Sequence, residues 1–397
     1  MTETFTSPQG NLAKTETADV VIIGGGIIGA ACAYYLSGTG LDVHLVERDF
    51  PGSGTSRACD GLILLWDKSG FELALGQKSV RLWHRLDESL DDDFGFERSG
   101  TILLAETERQ LQTGREKARL LEDAGQAAEV LPPKQLLALE PELAPGLAGG
   151  VFFPNDLQVE PRRATLALLA TAQQRGTELH PGTEIVDIHR KENRSGSTYT
   201  LMTNRGKFST PTVVCAAGVW SNQIAAMVGL DLPTKPRKGH ILVTSKRPGL
   251  IRHPLLEGGY VTTVESEADD LQVALVVEMT TSGTLLIGSS REFRGYDRDV
   301  SLKVIRAIAN RAKRFLPRLA KTPVIRTYAG LRPWSPDGLP LIGPTGPPGF
   351  YLATGHEGAG ICLAPITGKL LAEAVIKEDQ PPKAEGVSPN RFLASPE

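Results

Sequence analysis

Cysteine is scarce. The 397 residues include four, Cys32, Cys59, Cys215 and Cys362, and none forms a CxxC pair or joins histidine at metal-ligand spacing. An iron–sulfur cluster within the chain is thereby excluded, the thiols are expected to be reduced, and no metal site is expected. An excess of one charge is missing too: 43 Lys and Arg oppose 46 Asp and Glu, well interspersed. That balance gives neither the basic field of a nucleic-acid binder nor an acidic tail. There is no uninterrupted apolar run of membrane length, because four glycines break Val20 to Leu36, which reads better as a strand followed by a helix. Met1 to Ala18 lacks the basic start and apolar stretch of a secretory signal and reads as a polar, flexible tail.

What is present is enough apolar residue, 41%, to bury a large core in two joined domains. Asp19 to Ile23 is β-rich, a glycine turn follows, Ile28 to Ser37 is an apolar helix, and Asp42 to Glu47 is a second strand ending in a carboxylate. Helical patterns recur at Phe71 to Leu90 and Glu106 to Ala124, whereas the Pro-rich stretch from Leu131 to Gly150 reads as loops and a domain crossing. Val213 to Ala217 is a short strand able to rejoin the first sheet, with a helix from Trp220 to Val228 behind it. Val261 to Val264, Ala274 to Met279 and Thr284 to Gly288 suit an antiparallel sheet outside the nucleotide domain. Phe350 to Ala353 reads as a strand and Ala364 to Ile376 as the last helix, before a loose Pro-rich end. Trp66, Trp83 and Asp91 to Asp93 read as core packing and a solvated turn, and Glu160-Pro-Arg162-Arg163 as a helix start.

Gly24-Gly25-Gly26-Ile27-Ile28-Gly29 fits GxGxxG between a strand and a helix. Gly24 permits the tight turn, Gly26 lets backbone approach a pyrophosphate at the helix N-terminus, and Gly29 lets helix and strand pack closely. Glu47, eighteen residues beyond Gly29, can accept hydrogen bonds from ribose hydroxyls, which argues against NADP but does not separate NAD from FAD.

Further motifs carry a resemblance. Gly52-Ser-Gly-Thr55-Ser56-Arg57-Ala58, Asp156-Leu-Gln-Val-Glu160-Pro, Ala216-Ala-Gly-Val-Trp-Ser221, Lys238-Gly-His, Gly330-Leu-Arg332-Pro333 through Asp337 to Gly343, and Gly355-His356 to Gly368 follow the fingerprint in order. The chain resembles the superfamily of D-amino-acid oxidase, glycine oxidase and sarcosine oxidase, from Asp19 to Ile376. It is most similar there to glycine oxidase and to flavoprotein β subunits of cyanide-forming, D-hydroxyproline and opine dehydrogenase complexes. The resemblance implies an α/β fold: a Rossmann-like FAD-binding domain (17–92, 156–228, 326–378) interleaved with a substrate domain on an antiparallel or mixed sheet (93–155, 229–325), with flexible tails at 1–16 and 379–397. It implies FAD contacts from Gly24, Gly26, Ile27, Ile28, Gly29, Glu47, Arg48, Thr55, Ser56, Arg57, Ile185, Ala217, Gly218, Trp220, Gly330, Arg332, Gly355, Gly358, Ala359, Gly360 and Ile361.

Arg332 matches the family arginine that grips the substrate carboxylate, and a guanidinium fork suits that task. The competing interpretation is an ordinary ion pair. Tyr260 would add a phenol hydrogen bond to the same carboxylate, or be a core tyrosine. Glycine oxidase carries a second arginine in its last glycine turn, where this chain has Gly358 beside Glu357. Arg291 either compensates, or holds a second carboxylate of a larger substrate, or is a solvated surface arginine. His356 is weighed as a general base against a histidine that packs at the flavin and shapes the turn, and the second is preferred because hydride transfer rests on alignment. Gly358-Ala359-Gly360-Ile361 can point N–H donors and a helix dipole at the reduced flavin's charge.

Sarcosine oxidases tether FAD through a cysteine where this chain has Gly330, so FAD is expected to be non-covalent. Their oxygen-activating lysine aligns with Leu286, which favours a dehydrogenase. The expectation is an FAD amine dehydrogenase acting at the C–N bond of an amino acid, imino acid such as D-hydroxyproline, or opine. Its partners would be subunits carrying iron–sulfur centres or a second flavin, in the cytoplasm, with any contact to the inner membrane made through those partners. The alternatives are a free-standing glycine or D-amino-acid oxidase releasing peroxide and a non-catalytic electron-relay subunit.

Overall fold

A computed structural model describes residues 15–193, 196–260, 271–377 and 385–393. A six-stranded sheet carries the nucleotide fingerprint, in the order Leu341–Pro344, Phe350–Thr354, Thr212–Cys215, Val20–Ile23, Val43–Glu47, Glu178–Pro181. All its pairs are parallel except the first. Val20–Ile23 is buried at every residue, as expected of a strand covered on both faces. Helices Ile27–Leu36, Pro161–Gln174 and Gly360–Ile376 pack together against this sheet; a Cβ on Gly368 would lie 2.5 Å from the Ala31 carbonyl oxygen, so two of them cross backbone to backbone.

The last helix contains Pro365, which cannot donate to the Ile361 carbonyl one turn earlier. Trp83 Nε1, from the helix Gly70–Ser89, donates instead to the carbonyls of Ile361 (3.1 Å) and Cys362 (3.2 Å). The tryptophan thus satisfies the break that proline creates. Trp66 is equally structural, donating to Thr101 Oγ1 at 3.1 Å.

The second large sheet has eight strands, ordered Val324–Trp334, Lys235–Thr244, Leu285–Phe293, Gln272–Met279, Leu255–Glu257, Thr101–Ala105, Gly149–Phe153, Glu129–Leu131. Helix Leu302–Phe315 covers it with Val304, Ile305, Ile308, Ala312 and Phe315, the repeat of three and four that a buried helical stripe requires. Antiparallel pairing joins Val324–Trp334 to Lys235–Thr244, so the boundary expected at 325/326 cuts a strand of this sheet.

Three other expectations need correction. The Pro-rich stretch contains helix Pro133–Leu139, because proline is tolerated in a first helical turn. The expected N-terminal tail ends in a strand, Thr15–Thr17, paired with Gly206–Thr210 in a four-stranded sheet. In the C-terminal tail, Val387 is fully buried and Arg391 Nε donates to Asp337 Oδ2 at 2.7 Å. The expected strand Val261 to Val264 lies outside the described residues. Among those described, no helix is long and apolar enough to cross a membrane.

Candidate active site

The turn after Val20–Ile23 has no room for side chains. Gly24 adopts φ 109°, and a Cβ there would lie 2.5 Å from the Ala216 carbonyl oxygen. A Cβ on Gly29 would lie 1.9 Å from the Gly24 carbonyl oxygen, which seats the helix start on the turn. Ser56 Oγ accepts from Ile27 N at 2.9 Å. Glu47 closes the strand Val43–Glu47, accepting from Gly25 N at 2.7 Å and Asp49 N at 2.8 Å.

From this turn a long cleft runs between the two large sheets. One end is lined by Gly24, Gly26, Ile27, Ile28, Glu47, Arg48, Thr55, Ser56, Ile185, Ala217, Gly218 and Trp220. Arg48 stacks its guanidinium 4.0 Å over the Trp220 ring, making a flat wall. The other end is lined by Gly330, Arg332, Gly358, Gly360 and Ile361 at the start of the last helix, together with Tyr260, Arg291, His356 and Glu357. A glycine cradle at a helix N-terminus with an acid beside it, continued by a channel to a second helix N-terminus, fits an extended flavin dinucleotide.

At that second end three arginines gather on one face of the eight-stranded sheet. Arg237 and Arg332 are register partners, and Gly239 opposes Gly330 in the next same-face row. A Cβ on Gly239 would lie 2.2 Å from Arg332 Nη1, so the guanidinium lies across a floor that glycine leaves open. Arg332 Nη1 also donates to the Ser290 carbonyl at 3.1 Å. His240 fixes that neighbourhood: its Nε2 accepts from Ser301 N at 3.2 Å, which leaves Nδ1–H to donate to Ser290 Oγ at 3.0 Å.

Arg291 is only 2% exposed, which rules out the solvated surface arginine. Its Nη2 donates to the Tyr260 hydroxyl at 3.2 Å, and its Nε lies 3.5 Å from Glu357 Oε1. The same oxygen is 3.6 Å from Arg237 Nη1. Burial alone would raise Glu357, but the guanidiniums of Arg291, Arg332 and Arg237 bring its carboxyl below the ordinary value. The nearest atom to a Cβ on Gly358 is Arg291 Nη2, at 3.9 Å, so Arg291 occupies the space beside that glycine.

His356 is buried, and its Nε2 lies 2.9 Å from Thr367 Oγ1 of the last helix. Burial lowers its pKa to about 3, so it is neutral at physiological pH and ties the glycine turn to the helix. Because the folded value lies below the unfolded one, the neutral histidine contributes stability that is complete above about pH 6.5 and is lost on acidification. Chemical denaturation between pH 6.5 and 4.5 should show wild type losing up to about 1.4 kcal/mol per pH unit more than His356→Gln, by the one-proton linkage. Equal slopes would show that this imidazole takes up no proton on unfolding.

Four residues expected at FAD lie off the cleft wall. Arg57 is exposed and lines a neighbouring groove with Glu160 and Arg162. Gly29, Gly355 and Ala359 are not on the cleft wall: Gly29 and Gly355 serve close packing, and Ala359 caps the last helix. Leu286 lines the neighbouring groove, so its lack of charge says little about the electron acceptor. Sequence reasoning missed Arg237 and Asp60. Asp60 lines the cleft, and burial outweighs Arg332 and Arg291 to hold its carboxyl above the ordinary range.

Comparison with known proteins agrees with this geometry. The family model described as "FAD dependent oxidoreductase" (DAO) matches residues 19–374. The hydrogen cyanide synthase subunit HcnC of Pseudomonas aeruginosa is 31% identical, over 92% of this chain and 94% of its own. Glycine oxidase of Geobacillus kaustophilus is also 31% identical with the same coverage, and a crystal structure of glycine oxidase from that organism superposes with a TM-score of 0.85, covering 96% of this chain and 100% of the other at 29% identity. L-proline dehydrogenase from P. horikoshii gives a TM-score of 0.85 at 25% identity, over 96% and 98% of the chains.

Proposed function

The chain belongs to the DAO family of FAD-dependent oxidoreductases, and on that premise we propose that it is a dehydrogenase acting at the C–N bond of a carboxylate-bearing amine: an amino acid, a cyclic imino acid such as D-hydroxyproline, or an opine. The observation that carries this reading is the guanidinium of Arg332 lying over Gly239, inside the cleft and beside Arg291 and Arg237. FAD, when bound, supplies the acceptor for the hydride leaving the carbon beside nitrogen. The residues of the chain bind and orient. Arg332 would take the substrate carboxylate as a fork, with Arg291 and Tyr260 closing on its other side. Glu357 balances part of the local charge and offers an acceptor for the substrate nitrogen. The last helix, starting at Gly360, turns its N-terminus toward the cleft, where its dipole favours negative charge.

The Gly330 position supports non-covalent FAD. A Cβ there would lie 2.6 Å from the Ala58 carbonyl oxygen, leaving no place for a tethering cysteine. Cys59, on the same wall, is kept a thiol chiefly by burial. A partner that receives the electrons is supported by the HcnC relative, itself named as a subunit, and a cytoplasmic setting by four free cysteines.

Reduction of an artificial dye by the purified chain, across amino acids, imino acids and opines, tests the reading. Dye reduction with little peroxide in air is the expected result; rapid peroxide formation without dye would instead make the protein an oxidase, which the glycine oxidase relatives keep in view. Arg291→Ala should raise KM on the order of 10²-fold with a smaller change in kcat, because it removes one side of the carboxylate grip and leaves Glu357 less compensated. An unchanged KM and unchanged substrate preference would remove Arg291 from the site.

A further inference from the structure

On the outer edge of the nucleotide-binding sheet, away from the cleft, three strands bring two imidazoles and two carboxylates together. His44 belongs to Val43–Glu47, Glu178 and His180 to the edge strand Glu178–Pro181, and Glu16 to Thr15–Thr17 of the four-stranded sheet. Parallel register sets Glu178 beside His44 and His180 beside Val46, so the three polar side chains share one face. His44 Nδ1 and His180 Nε2 lie 3.1 Å apart. Their rings stack with centroids 5.0 Å apart, and Phe208 stands edge-on to both. Glu16 Oε2 is 3.9 Å from His44 Nδ1 and 3.8 Å from His180 Nε2, and Glu178 Oε2 is 3.8 Å from the same His180 nitrogen. One donor atom from each of the four lies within 4.8 Å of all the others.

We propose that Glu16, His44, Glu178 and His180 form a binding site for a single divalent transition metal of the zinc type, which pins the edge strand and the four-stranded sheet to the strand bearing Glu47. Two nitrogens each about 2.0 Å from a tetrahedral zinc are separated by roughly 3.3 Å, close to the spacing of the two imidazoles. The carboxylate oxygens stand half an ångström or so outside that shell, too far from the imidazoles for hydrogen bonds. Glu16 and Glu178 have side chains 32% and 62% exposed, free enough to swing inward, whereas His44 is fixed at 5%. Asp42 Oδ1 lies 3.4 Å from His44 Nε2, on the side away from Nδ1. In the metal-bound form a carboxylate there would hold the ring's orientation, as outer partners of metal-bound histidines do. Two imidazoles with two carboxylates select zinc-type ions over magnesium or calcium, which prefer oxygen donors. Pro181 ends the edge strand, and Thr183, Glu184 and Ile185 just beyond it line the dinucleotide end of the cleft. The ion's role there is structural.

The test uses the full chain, stripped with chelator and titrated with zinc sulfate, with bound zinc counted by elemental analysis and unfolding followed by scanning fluorimetry. One zinc per chain, a midpoint raised by zinc and not by magnesium, and binding weakened at least ~100-fold in His180→Gln and about tenfold in Glu178→Gln support the site. Each variant must first match the wild-type midpoint without metal, and Glu178→Gln, at the most exposed position, serves if His180→Gln does not. No zinc uptake by wild type, or uptake undiminished in the folded variants, overturns the proposal.

Discussion

Arg332→Ala should yield a folded, yellow protein whose kcat/KM for its amino or imino acid falls on the order of 10³-fold. Loss of one member of a buried, hydrogen-bonded charge pair costs about 2–5 kcal/mol, and part of that cost is the other charge left without its partner. Flavin content should be retained, because the cradle of Gly24, Gly26 and Ser56 is held by contacts that Arg332 does not make. Arg332→Lys restores the charge but not the planar fork, so it should recover only a minor part of the rate. An alanine variant with wild-type kcat/KM would mean that Arg332 serves only its bond to the Ser290 carbonyl.

The second large effect belongs to the fingerprint. Gly29→Ala adds a methyl group 1.9 Å from the Gly24 carbonyl oxygen, a distance that no side-chain rotation relieves because the obstacle is backbone. The helix Ile27–Leu36 must move away from the turn, and the N–H groups that face a pyrophosphate move with it. Purified Gly29→Ala should therefore be colourless, with FAD affinity reduced on the order of 10²-fold or more and a lower unfolding midpoint, since close packing is lost in the same step. Absorbance per chain after desalting measures this directly. A variant that keeps one FAD per chain would show that the helix start does not cradle the phosphates.

These two sites were legible in the sequence for different reasons. The fingerprint is local: a strand, a glycine turn, a helix and a terminal acid lie within residues 20–47 and need no tertiary partner to be seen. Arg332 was visible because its tetrapeptide resembles a known family, whereas its physical setting depends on Gly239, ninety-three residues earlier. Arg237 escaped notice for the same reason, since only the strand register sets it beside Arg332 and near Glu357. For Arg291 the sequence leaves three readings open, a solvated surface residue among them; what buries it is Tyr260 on one side and Glu357 on the other. The helix Pro133–Leu139 was masked by prolines that sit where a helix tolerates them. His44 and His180 are 136 residues apart on adjacent parallel strands, a proximity no spacing rule could signal.

The dye-reduction and kinetic tests depend on the choice of acceptor, but the step at the substrate carbon does not. Anaerobic mixing of the purified yellow protein with a panel of amino acids, imino acids and opines isolates that step, because without oxygen or partner the flavin itself must bleach. Hydride transfer from a substrate held by Arg332 predicts rapid bleaching by at least one carboxylate-bearing amine and little or none by its decarboxylated counterpart. It also predicts that Arg332→Ala, equally yellow, bleaches on the order of 10³-fold more slowly at low substrate concentration. A flavin that stays oxidised with the whole panel, or one that bleaches equally fast in the alanine variant, would contradict it.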